Sequence, residues 1–335
     1  MFHSLSPEER KKKGILKMSA DQDGVSLDEI QERMRGAQKL IVEWAVEMSG
    51  QQPRVDEWEY HKGSGGGTTI VWEDGAEERF FEKGGVNWSG LVGKDMPASA
   101  VAQMKIPAGT GFQATGVSLV MHPHNPHVPT VHMNVRYFQA DAAADCWWFG
   151  GGIDVTPVFP RLEQVVGFHR ALKALCERHG HSYADYKALC DEYFYLKHRK
   201  ETRGVGGIFF EGLHPRKNPS WTKRLLLDFV IDLANSFPAL YQPFSANHAS
   251  PYSADQREFQ LWRRSRYVEF NLLFDRGTKF GIESEGRTES ILMSLPAVCN
   301  WKYGYAPPAG TLEAASMLYL KPQDWLQITD ESQLV

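Results

Sequence analysis

Cysteine is scarce in this chain of 335 residues: Cys146, Cys176, Cys190 and Cys299 lie far apart, with no CxxC pair. That spacing argues against a zinc ribbon or a redox dithiol and points to buried thiols in a reducing compartment. An excess of one charge is also lacking. Lys and Arg number 37 against 41 Asp and Glu, a formal charge of −4, so no broad basic field exists to hold nucleic acid. No apolar run approaches the about 20 residues of a membrane-spanning helix. The N-terminal stretch carries Lys11-Lys12-Lys13 but no apolar core of signal-peptide length, and Glu8, Glu9, Asp21 and Asp23 are unlike a transit segment. A cytoplasmic protein is the expectation. GxGxxG is absent, and no Gly-Lys-Ser/Thr follows the GSGGG run at 63–67, so neither a dinucleotide fingerprint nor a phosphate loop is present.

What is present is patterned. Residues 1–25 read as a mobile polar arm and 26–335 as one domain. Ser26 and Glu29 form a capping box, opening a helix in which Leu27, Ile30, Met34, Ala37, Ile41, Trp44, Ala45 and Met48 recur at helical spacing. Segments 57–60, 69–73 and 79–82 read as short strands. The GSGGG run reads as a flexible hairpin connection, and Asp74-Gly75 as a turn. Further strands are expected at 112–121, 130–139 and 146–149, and helices at 161–179, 182–199, 221–237 and 253–264. RYVEFNLLF at 266–274 sets Val268, Phe270, Leu272 and Phe274 against Tyr267, Glu269, Asn271 and Leu273, which predicts a strand, with another at 278–283. Segment 287–295 fits either state, and 311–319 is a short helix. The fold class that results is α+β on a largely antiparallel sheet.

The stretch FQATGVSLVMHPHNPHVPTVHMNVRYF, 112–138, carries the chemistry. Strand side chains change face at every residue. Thr130, His132, Asn134 and Arg136 therefore share a face, as do Ser118 and His122 on the preceding run. Burying such a face leaves each group needing a partner, so it reads as the floor of a site for a polar, anionic molecule. His122, His124, His127 and His132 are close enough in sequence to converge on a metal ion, yet no carboxylate interrupts them and the spacing fits no tight template. WWFGGGIDVTP, 147–157, ends a strand in three glycines and then presents Asp154, either as a local turn residue or beside a bulky ligand. Lys197, His198, Arg199 and Lys200 suit the C-terminus of a helix.

GVSLVMHPHNPHVPTVHMNVRYF, WWFGGGIDVTP, KHRKETRGVGGIFFEGL, RYVEFNLLFDRGTKFG and GRTESILMSLP, preceded by EKGGVNWS at 82–89, together resemble the oxygen-dependent coproporphyrinogen-III oxidase family, in its order and over roughly residues 26–330. The resemblance implies oxidative decarboxylation of two propionates of coproporphyrinogen III to vinyl groups. Dioxygen is the co-substrate, with no flavin, haem or other organic cofactor. It also implies a large antiparallel sheet sandwiched by helices, and a homodimer contacting through about Tyr267–Tyr303. A non-catalytic tetrapyrrole-binding protein and a metal-dependent oxygenase are the alternatives.

Position by position, the resemblance assigns substrate binding to Ser118, Asn134, Val135, Arg136, Glu285, Gly286 and Arg287, and proton donation to His132. A divalent metal, disputed in the family, falls to His122, His132, His169 and His198; from sequence alone His169 reads as a helix-surface residue. Arg136 and Arg287 suit the carboxylates. Asp154 suits the inward-pointing pyrrole N–H groups as acceptor and base, with Asp275 of the DRG turn in reserve. The usual Asp-Asp after GIFF is Glu211-Gly212 here.

Overall fold

The computed structural model describes residues 24–334 apart from 74–78, 97–100, 102–104, 106 and 142–144, so most of the expected arm and the Asp74-Gly75 turn lie outside the described residues. Helix α1 (Leu27–Ser49) starts at Ser26, whose side chain accepts from Glu29 N–H. Strands β1 (Arg54–Glu59), β2 (Gly63–Trp72), β3 (Phe81–Gly93), β4 (Phe112–Pro123), β5 (Thr130–Ala140) and β6 (Trp147–Thr156) follow. Next come α2 (Leu162–Arg178), α3 (Tyr183–Tyr193), a two-residue hairpin β7 (Tyr195–Leu196) and β8 (Glu201–Thr202), and β9 (Gly206–Leu213). Helices α4 (Lys223–Asn235), α5 (Phe237–Ser245), α6 (Ala254–Leu273), α7 (Arg276–Glu283), α8 (Thr288–Leu292) and α9 (Leu312–Ser316) follow, with short 3-10 turns at Ala246–Ala249, Met317–Tyr319 and Glu331–Gln333.

The seven long strands form one antiparallel sheet in the order β1-β2-β3-β4-β5-β6-β9. From β3 to β9 one face of the sheet is apolar. Val86, Val117, Leu119, Val131, Met133, Val135, Phe149, Ile153 and Ile208 pack there against Ile30, Met34 and Ile41 of α1, Leu172 of α2, and residues of α4 and α5. The other face carries the polar residues and is partly covered by α6, α7 and α8. The expected helix–sheet–helix sandwich is the observed architecture.

Several local expectations are corrected. The GSGGG run is the first half of β2, paired residue by residue with β1 and β3, not a flexible connection. Glycine serves packing here: a Cβ on Gly67 would lie 2.4 Å from the Trp58 ring. The helix expected to reach 199 stops at Tyr193, and Lys197–Lys200 form the β7–β8 turn, so their charges serve no helix end. The helix at 221–237 breaks at Ser236, where Pro238 starts α5.

The strands expected at 266–274 and 278–283 are helices α6 and α7. A capping box of Ser253 and Gln256 nucleates α6, and Phe259, Trp262, Arg263, Arg266, Tyr267 and Phe270 are buried at helical spacing. Arginines complete that stripe because distant acids neutralise them: Arg263 meets Glu201 at 2.8 Å and Arg264 meets Glu82 at 2.6 Å. Leu272, Leu273 and Phe274, apolar in the strand reading, are exposed.

Glu269 of α6 accepts from Arg199, His198 and Trp301. Burial alone raises its carboxyl, but the bonds from Arg199, His198 and Trp301 outweigh it and bring the pKa down from 4.5 to about 2. A carboxylate depressed in the folded state contributes fully above its unfolded value and loses that contribution as pH falls through the folded one. The melting temperature should therefore drop between pH 4.5 and 2. In calorimetry across that range, Glu269→Gln should flatten part of the slope; an unchanged slope refutes the assignment.

Candidate functional site

Strand register sets the floor of the site. Ser118 pairs with Asn134 and with Asn87, and Asn134 pairs with Gly152, so Asn87, Ser118, Asn134 and Gly152 form one row across β3–β6. Two residues along, Gly116, Arg136 and Gly150 form the next row; two residues the other way, His132 and Asp154 are paired. Directly opposed residues of an antiparallel sheet share a face. The predicted His132–Asn134–Arg136 face is thus brought together with Ser118, and these side chains form a half-exposed polar trough in an otherwise covered face. Phe138 stacks on Trp148 and meets Phe280 of α7 edge-on at one end, while Tyr193, Phe194, Phe209 and Phe270 pack at the β9 end.

Arg136 lies across Gly150, where an added Cβ would meet its guanidinium at 3.1 Å. Its Nη1 donates to Asn134 Oδ1 at 2.6 Å and its Nη2 to Glu211 Oε1 at 2.7 Å. Glu211 also reaches Arg276 at 3.4 Å. The side chain of Val135 points into the core, leaving only its backbone for the trough. Arg287 is ion-paired with Asp56 at 2.6 Å, and Glu285, in the left-handed region at φ 53°, is paired with Lys62. Residues 285–287 therefore sit with β1 and the segment after it, beyond the β3 end of the row.

His132 is 22% exposed, and its Nδ1 donates to Asp154 Oδ1 at 2.8 Å. A carboxylate at Nδ1 fixes the proton there and leaves Nε2 directed away from Asp154. Asp154 itself is only 1% exposed and is held by Arg203, whose Nη2 lies 2.7 Å from Oδ1 and 2.8 Å from Oδ2, and whose Nε lies 3.2 Å from Oδ2. Burial alone raises this carboxyl, but the Arg203 charge and the His132 bond outweigh it and hold it below its ordinary value. Asp275 caps α7, accepting from Thr278 N–H at 2.7 Å and from Tyr193 Oη at 2.9 Å. It is half-buried, and the Tyr193 ring beside it stacks on Phe209 at 4.3 Å.

The four histidines considered as metal ligands do not converge. His169 is wholly buried on the helical side of the sheet, with Nδ1 at 2.7 Å from Tyr183 Oη and Nε2 at 3.1 Å from the Val205 carbonyl; burial pushes its pKa down to about 3. His122 is equally buried, bonded to Thr130 Oγ1 and to the Ser294 carbonyl, and burial holds it well below its ordinary value. His198 pairs with Glu269 on the β7–β8 turn. Among the described residues no three His, Cys, Asp or Glu side chains form a metal-binding group. These residues do not fit a shared cation, and the helix-surface reading of His169 is also corrected.

Two contributors escaped sequence reading. Arg203, the last cation of the KHRKETR run before a glycine-rich strand, is the ion partner of Asp154. Asn87 extends the polar row and donates to the Ser290 carbonyl at 2.7 Å, tying α8 to the floor. The alternation in EKGGVNWS was the one available signal for Asn87.

A trough of this kind, with an arginine on its floor and a carboxylate-oriented imidazole beside it, has the groups to hold an anion and to move a proton. Comparison with known families narrows the class. The coproporphyrinogen III oxidase family matches residues 29–325, and the chain belongs to that family. It is also 52% identical over 328 residues to the oxygen-dependent coproporphyrinogen-III oxidase of Dictyostelium discoideum, covering 91% of this chain and 96% of that protein. No helix among the described residues is long and apolar enough to cross a membrane.

Proposed function

We propose that this protein is an oxygen-dependent coproporphyrinogen III oxidase of haem biosynthesis. It converts two propionates to vinyl groups and yields protoporphyrinogen IX. For each propionate, the side chain, one dioxygen and one proton give a vinyl group, carbon dioxide and hydrogen peroxide. The two electrons released pass to dioxygen. The observation that carries the reading is the trough: a flat floor flanked by Arg136 and His132, on a chain of this family. Ser118, Asn134 and Arg136 hold carboxylate arms, and Glu285, Gly286 and Arg287 act at the rim. His132, with its proton fixed on Nδ1, exchanges protons at Nε2 as peroxide leaves.

The ring-centre carboxylate is assigned to Asp275 in preference to Asp154. Both oxygens of Asp154 are taken up by Arg203 and His132 in a site that is 1% exposed, which leaves none for pyrrole N–H groups. Asp275 accepts three bonds, one from Tyr193 at Oδ1 and two from Thr278 at Oδ2, so a lone pair on Oδ1 stays open, and it is half-buried at the Tyr193–Phe209 end of the trough. Asp154 instead serves as the partner that orients His132.

Purified protein given coproporphyrinogen III in air should form protoporphyrinogen IX with release of carbon dioxide and hydrogen peroxide, and none under anaerobiosis. Folded protein that binds the tetrapyrrole without consuming oxygen would leave only the non-catalytic binding reading.

A homodimer through the 267–303 segment is part of the proposal. Leu272, Leu273, Phe274, Ile282, Val298, Trp301 and Tyr303 expose apolar surface on that one stretch, more than scattered surface residues account for. Sedimentation equilibrium should give twice the 37.9 kDa chain mass, and Leu272→Asp with Leu273→Asp should give the monomer. A monomeric wild type refutes this part alone.

A further inference from the structure

We propose that Arg203 is a positioning residue for the reaction: through the Asp154 carboxylate it holds the His132 imidazole in the one orientation that presents Nε2 to the trough. The inference rests on the function proposed above. Arg203 lies between β8 and β9 and is 1% exposed. Its guanidinium makes three hydrogen bonds to the two oxygens of Asp154. The rings of Phe194, Tyr267 and Phe270 lie 4.0, 4.7 and 4.9 Å from its central carbon. Its backbone N–H donates to the Phe194 carbonyl at 2.9 Å. Faces and donor edge are thereby fixed.

Burying a guanidinium and a carboxylate is costly, and apolar side chains fill such a space at least as stably. Stability therefore does not explain the pair. Its effect on His132 does. A buried Asp154 without Arg203 would tend to take up a proton. A carboxylic acid both donates and accepts, so it tolerates either imidazole tautomer. Paired with Arg203, Asp154 only accepts, so Nδ1 of His132 is its donor; Arg203 Nη2 also approaches that nitrogen, but at 3.4 Å against the 2.8 Å bond to Oδ1. The Phe194 ring meets His132 edge-on at 5.9 Å, so the ring beneath the guanidinium also limits rotation of the imidazole.

Arg203→Lys separates this role from a merely structural clamp. Lysine keeps the charge but gives up the planar fork and the stacking. Assayed well below its melting temperature, the variant should keep its KM for coproporphyrinogen III and lose kcat about 10- to 100-fold. In 15N histidine spectra of the substrate-free protein, His132 should be a single Nδ1–H tautomer in wild type and a mixture in Arg203→Gln, which removes the charge that keeps Asp154 ionised. Wild-type kcat in Arg203→Lys, or a single Nδ1–H tautomer in Arg203→Gln, would overturn the inference. Should neither variant fold, Phe194→Leu, which leaves the ion pair and the tautomer in place but frees the imidazole to rotate, should lower kcat at unchanged KM; an unaffected kcat in Phe194→Leu then overturns it. If wild type fails to turn over coproporphyrinogen III while its His132 is the single Nδ1–H tautomer, the functional reading fails and the geometry stands.

Discussion

Asp154→Asn should cost this enzyme most of its turnover while barely altering KM. The carboxylate is buried, so it does not touch substrate, and its effect passes through His132. Asparagine matches its shape, but the amide nitrogen donates where a carboxylate oxygen accepted. Arg203 donates to both Asp154 oxygens, so whichever oxygen remains is drawn to the guanidinium. The amide N–H then faces His132 Nδ1, which must become an acceptor, and the proton moves to Nε2. General acid–base contributions are about 10²- to 10⁴-fold, and kcat should fall within that span. Stability should also decline, since breaking one side of a buried ion pair costs about 3–5 kcal/mol and the amide recovers only part of it. Kinetics at a temperature where circular dichroism reports a folded variant separate the two effects. A kcat near wild type would mean that His132 needs no carboxylate and would dissolve the dyad.

The floor of the site was legible because a two-residue period is a local property. Once 130–138 is a strand, His132, Asn134 and Arg136 share a face whatever surrounds them. The pairing of Ser118 with Asn134 needs only the adjacent hairpin. What failed depended on distant partners. Asp154 read as a turn residue or as a ligand-facing base because Arg203 is 49 residues away, and nothing near 154 announces an ion pair. Helix α6 was misread for the same reason: its buried stripe includes Arg263, Arg264 and Arg266, whose acids Glu82 and Glu201 come from other elements. Without those acids the stripe is broken by charge, and the chance alternation of Val268, Phe270 and Leu272 prevails. His169 is a further case, since a polar residue in a helix reads as exposed until Tyr183 and the Val205 carbonyl occupy its two nitrogens.

Arg136→Ala should chiefly weaken binding. Charge-assisted hydrogen bonds are worth about 1.5–3 kcal/mol, and a tenfold change in affinity is about 1.4 kcal/mol, so KM should rise roughly ten- to a hundredfold with a smaller change in kcat. The free protein adds a competing contact. Glu211 already occupies Nη2 of Arg136, at 2.7 Å, and leans towards Arg276. A propionate arriving at Arg136 therefore displaces or crowds a carboxylate of the protein. Removing Arg136 leaves Glu211 facing the substrate with less positive charge nearby, which deepens the loss. Glu211→Gln should act in the opposite direction and lower KM, because the amide holds the guanidinium less firmly and does not repel the arm. Arg136 and Glu211 are 33% and 42% exposed, so salt should screen both effects. KM of wild type should climb with ionic strength, and that of Arg136→Ala should climb less. If KM is unmoved in Arg136→Ala, the guanidinium does not hold a substrate carboxylate, and Arg136 belongs to the fold through Asn134 and Glu211 alone.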